Sequence, residues 1–285
     1  MTTERTSVQG GRASRSKTDS GTLPAMPTMM RPGRLAGQTR RLLRCGIWAG
    51  PVFTATFLTE GAARDGYRPL RHPVSSLALG PRGWVQTANF AVTGVLCLAG
   101  AAGLRRTGDR LAGCRAGPVI VAAAGAGLIG SAAFRTDPVG GYPPGTPDMP
   151  AKFSRAGAAH NLAAIPVFFG LPAAAACYGW RSWRAGQPPG FAIYCAATAV
   201  TMPVTMALAG AGFGQSSWLG GYGGLFQRAS IITGFAWLTA VSARALQPTL
   251  PGTAGTSGSA RPCLPAQASS LAYNEISRAG HSQQL

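Results

Sequence analysis

The sequence predicts an all-α, polytopic membrane helix bundle: six transmembrane helices between disordered N- and C-terminal tails. Three observations predict it. The 285-residue chain is 46% hydrophobic but only 12% charged, about half the charged share of an ordinary soluble domain. Its net charge is nonetheless +18, from 26 Lys and Arg against 8 Asp and Glu, and the basic residues are concentrated between long apolar blocks. There are six such blocks, each about 20 residues long, enough to cross a ~30 Å hydrocarbon core at 1.5 Å per residue.

Taken in order, residues 1–40 are rich in Ser, Thr, Gly, Pro and Arg without aliphatic periodicity, and predict a disordered basic tail. The transmembrane domain covers 41–247, with helices at about 42–61, 84–104, 117–134, 157–178, 190–212 and 224–246. Inside a bilayer no water satisfies the backbone, so these segments must be helical. Their many Gly and Ala residues predict close helix contacts. Residues 248–285 return to Gly, Ser, Ala and Pro and predict a second disordered tail. Thr39-Arg40-Arg41-Leu42-Leu43 resembles a twin-arginine export signal, with Ala62 and Ala63 as a mimic of a cleavage site. Five further spans follow, so it reads as the ordinary basic flank of a first helix.

Orientation follows from the basic residues. Eighteen of the 26 Lys and Arg flank the termini and the loops after helices 2 and 4, and eight fall on the opposite side. Both termini are thus expected in the cytoplasm. Abundant Arg, Gly and Ala suit a bacterial genome of high GC content, and the expected location is the bacterial cytoplasmic (plasma) membrane. Nucleic acid is excluded as a partner, because the basic residues form no stripe with interleaved aromatics. Membrane lipids, including anionic headgroups, are the partners the charge fits. No Cys pair among the six has Cys-x-x-Cys spacing, and those in or near the spans read as small hydrophobes.

The polar residues within the spans point to one face of the membrane. Asn89 lies near the outer end of helix 2, His160 and Asn161 near that of helix 4, and Gln227 and Arg228 near that of helix 6. Asp137 lies just beyond the outer end of helix 3. Ionisable groups in a membrane are costly and normally face a bundle interior or wet cavity, so a shared outward-facing pocket is expected. Arg228 is expected to pair with Asp137. His160 is expected to lean on the same carboxylate, with His72 and Ser76 capping the site from the first long loop. Arg228, Asp137, His160, Gln227, Asn89 and His72 are the candidate ligand-binding residues. His160, Asp137, His72 and Ser76 are the catalytic candidates. Each also has a structural reading: an ion pair, a satisfied histidine, a capping serine, an interhelical amide. Two histidines and an aspartate without i, i+4 spacing predict no metal site, and nothing calls for a cofactor.

The same residues carry a family resemblance. The run His72-Pro73-Val74-Ser75-Ser76-Leu77-Ala78-Leu79-Gly80, then Gly83-Trp84 and Asn89-Phe90, is similar to the signature of the bacterial membrane family catalogued as domain of unknown function 998. Phe134-x-Thr136-Asp137-Pro138 with Gly141-Tyr142-Pro143, Gly157-x-x-His160 and Gly224-Leu225-Phe226-Gln227-Arg228 extend the resemblance over roughly residues 42–246. It implies a six-helix membrane protein and no particular activity. Three functions stay open: a pocket binding an anionic lipid or small solute, a structural or assembly partner of other membrane proteins, and an enzyme acting on lipid-linked groups.

Overall fold

A computed structural model describes residues 35–216 and 218–247, apart from the side chain of Asp109. Most of the expected tails, 1–34 and 248–285, lies outside the described residues. Within them the chain is all-helical, with six helices long and apolar enough to span a membrane. They are α1 (Gly37–Ala62), α2 (Gly83–Arg106), α3 (Ala116–Ala133), α4 (Arg155–Arg184), α5 (Pro189–Phe213) and α6 (Gly223–Leu246). Two boundaries differ from expectation. Residues 37–40 already belong to α1, because the Arg-rich flank continues the helical backbone past the last apolar residue. Arg181 and Arg184, expected in a loop, form the last turn of α4. Cations there oppose the negative end of the helix dipole, which extends the helix.

The helices run up and down in sequence and close into a ring. Each packs on its neighbour, and α1 packs on α6. Small residues make the seams. A side chain on Gly100 would meet the Gly46 backbone 2.7 Å away, so α1 and α2 approach to backbone contact. The ring encloses Phe53, Phe57, Phe235, Leu171, Met202 and Trp237, all at most 2% exposed. The opposite is true of α5, of whose apolar window only 17% is buried. In a bilayer that face meets lipid.

Three connections, 63–82, 134–154 and 214–222, share one end of the bundle, here the long-loop end. The short connections 107–115 and 185–188 share the other, with the start of α1 and the end of α6. Exposed aromatics sit near both ends: Trp84, Trp218 and Tyr222 at the long-loop end, Trp180 and Trp183 at the other. That is the position of a membrane-interface belt.

One helix is irregular. In α4, residues Pro166–Gly170 form a π-helical turn. Pro166 has no N–H to complete the i→i−4 ladder, and the ladder resumes with a wider turn. Before the irregularity α4 packs on α3. After it, α4 packs on both α3 and α5. A wedge is left between α4 and α5 at the long-loop end.

Candidate functional site

The candidate polar residues separate into three groups. The first fastens the 63–82 connection to α6. Arg228 is 6% exposed. Its Nη1 donates to the carbonyls of Pro69, His72 (3.0 Å) and Gly224 (2.9 Å), and its Nη2 to the Tyr67 hydroxyl. Tyr67 passes the chain on, donating to the Pro73 carbonyl at 2.9 Å. The guanidinium also lies 5.5 Å from the Tyr67 ring centre and 5.8 Å from that of Phe57. A buried cation needs such a shell of oxygens and π-faces to replace water. Beside it, the first N–H groups of α6 are capped without any side chain. Gly224 donates to the Arg71 carbonyl at 3.1 Å and Leu225 to that of Leu70 at 2.9 Å. Burial pushes the Tyr67 phenol up to about 12, against the opposing pull of Arg228.

His72 belongs to this group. Its Nδ1 accepts the Arg68 N–H at 2.9 Å, so Nε2 carries the proton and donates to the Gly140 carbonyl at 3.0 Å. Its ring stands 5.3 Å from that of Tyr142, which ties the 63–82 connection to 134–154. Arg71 and Asp148 add an ion pair at 2.7 Å between the same two connections. Burial holds the imidazole below its ordinary value, although the Gly140 bond opposes this. Gln227 Oε1 accepts the Val74 N–H at 2.8 Å, a further tie to α6.

The second group joins α3 to α4. Asp137 Oδ2 accepts the Ser154 N–H at 2.8 Å, and Ser154 Oγ caps Gly157 N at 2.9 Å. The carboxylate rests where the helix dipole of α4 is positive. A Cβ on Gly157 would collide with it. One turn on, His160 Nδ1 lies 3.0 Å from the Ser131 carbonyl and 2.9 Å from that of Phe134. The first belongs to the last turn of α3 and the second to the residue that follows it, and neither has a helical partner of its own.

The third group lies between α1 and α2. Asn89 donates to the Phe53 carbonyl at 3.1 Å and to Gln86 Oε1 at 3.3 Å.

Several expectations are therefore corrected. Arg228 and Asp137 do not pair. Among the described residues the ion pairs are Glu60–Arg64, Glu60–Arg82 and Arg71–Asp148. Carbonyl groups of the folded-back loop are closer to hand for Arg228, and the N-terminus of α4 is closer to hand for Asp137. His160 leans on carbonyls of α3 instead of on Asp137. His72 serves the joint between two loops and does not cap a shared site. Ser76 is 1% exposed, and its Oγ has no hydrogen-bond partner, so no bond joins it to either histidine. No group of three or more metal-competent side chains occurs among the described residues.

Sequence reasoning missed Glu60. It is 6% exposed, bonds Arg64 at 2.9 Å and pairs with Arg82. Arg64 in turn donates to the Leu79 and Arg82 carbonyls, each at 2.9 Å. The signal was present as an acid at the last turn of an apolar span, four residues before an arginine.

What the structure does form at the long-loop end is a cavity of about 590 Å³ in the wedge between α4 and α5, within the usual range for small-molecule sites. Buried Phe53, Leu128 and Ile231 form its inner wall. Exposed Asn161, Ile165 and Phe169 of α4 and Ala207 and Gly210 of α5 form its mouth, with Met149 and Phe153 overhanging it. Of the predicted residues, His160 and Gln227 line it; Arg228, Asp137, Asn89, His72 and Ser76 do not. Ser75, the neighbour of Ser76, does.

No curated protein and no solved structure matches the chain. The family model described as protein of unknown function (DUF998) matches residues 47–244, more than half of the chain and all but the outermost turns of the bundle, and the chain belongs to that family.

Proposed function

We propose that this multi-pass membrane protein binds a membrane lipid, whose apolar part enters the cavity between α4 and α5. The observation that carries this reading is the mouth. Its exposed residues lie on two helices that face lipid, so the cavity communicates with the bilayer. The polar loops at that end are fastened to one another and to α6. The distribution of Lys and Arg supports a bacterial plasma-membrane location with both termini cytoplasmic, which puts the cavity in the outer leaflet.

The test is lipid co-purification. The full chain is extracted in polymer nanodiscs, and its lipids are compared by mass spectrometry with those of Ala207→Trp, whose indole fills the mouth. The expected result is a lipid retained by the wild type and lost from the variant, with the melting temperature unchanged. Identical lipid profiles refute the reading.

A further inference from the structure

The chemistry of the cavity wall limits what can occupy it. In a chain of net charge +18, no Lys, Arg, Asp or Glu lines this cavity. A phosphate or carboxylate drawn inside would lose its water and gain no countercharge. Arg228, the nearest candidate in the sequence, is turned away to loop carbonyls.

Polar groups do line the wall, and their unused atoms are defined by the bonds already made. Both partners of His160 Nδ1 are carbonyls, which only accept. Nδ1 therefore carries the proton, and Nε2 is the lone-pair nitrogen. Nε2 has no hydrogen-bond partner among the described residues, and the ring is steadied edge-on by Phe90 at 5.8 Å. Gln227 presents the opposite case. Its Oε1 is taken by Val74 N–H, which leaves its amide N–H groups as donors at the same cavity. An acceptor on His160 and a donor on Gln227, in a pocket that no charged side chain lines, together match a hydroxyl, which both donates and accepts.

We infer that the occupant is an uncharged lipid bearing a hydroxyl group, which donates to His160 Nε2 and accepts from the Gln227 amide. This rests on the lipid-binding reading above and adds the class of headgroup.

The test uses the full chain in detergent and tritiated 1,2-dioctanoylglycerol, with binding read by scintillation proximity. Three unlabelled competitors share the same acyl chains: dioctanoylglycerol, its 3-O-methyl ether and dioctanoyl phosphatidic acid. The ether, which cannot donate, is expected to compete about fivefold less well, and the phosphatidic acid at least tenfold less well. His160→Phe should erase the difference between alcohol and ether. If that variant fails to fold, the competitor pair on the wild type still decides. Equal competition by the ether, or stronger competition by the phosphatidic acid, overturns the inference. If Ala207→Trp still abolishes binding in that case, the cavity reading survives alone. Binding of no lipid, or binding unaffected by Ala207→Trp, removes both.

Discussion

Arg228 shows how a buried cation can be stable without a carboxylate. Three carbonyl oxygens and a phenol surround it, and truncation would remove a charged donor from each. Arg228→Ala is expected to cost about 3 kcal/mol, read as a lowered thermal midpoint in detergent. Arg228→Lys should recover only part, since an ammonium cannot span both Nη positions. His72 makes a pH prediction. Its imidazole is held below the ordinary value by burial, so the unfolded chain takes up a proton first as pH falls. Stability is therefore full above about 6.5, the unfolded value, and declines below it until the folded value is reached. Protonation would also set Nδ1–H against the Arg68 N–H. A melting curve measured from pH 8 to 5 should slope downward below 6.5, and the slope should flatten in His72→Gln.

The α3–α4 joint is the element on which local geometry leaves least freedom. Gly157→Ala would push a methyl into the Asp137 carboxylate, with an expected loss of about 1–3 kcal/mol. In an Asp137→Ala background the same substitution should cost less, because the obstacle is gone. A double-mutant cycle of thermal midpoints measures this. The spans themselves were legible in the sequence, since helix length and hydropathy are local properties imposed by the bilayer. The depth of the polar residues was legible as well, because it follows from counting residues along a helix. Their partners were not. Arg228 and Asp137 are complementary charges at the same end of the bundle, but each is claimed by a nearer backbone group. Those carbonyls and N–H groups come into place only when the 63–82 connection folds back over α6 and Ser154 starts α4. Backbone acceptors carry no mark in a sequence. The wedge between α4 and α5 was hidden for a similar reason. Pro166 is visible, but the divergence it accompanies depends on how Ala163 seats against Gly127 and Gly130.

At the scale of the whole molecule, the inferred orientation makes a labelling prediction. Single cysteines at Gly145 and Gly186, in a background without the native cysteines, should react oppositely with a membrane-impermeant maleimide applied to intact cells. Gly145, in the 134–154 connection, is expected to label, and Gly186 only after lysis. The reverse pattern would invert the bundle and move the cavity to the inner leaflet. The ring closure has a further consequence. Because α1 and α6 are neighbours, with Gly46 against Ser242, the start of the first helix and the end of the last emerge side by side at the short-loop end. The order of the helices in the gene is then not the only order that makes this ring. A circular permutant that joins the present ends and opens between Gly186 and Gln187 keeps every helix seam, since those residues also lie at the short-loop end. Such a chain should insert with the same handedness of packing and the same melting behaviour, although α5 would be synthesised first.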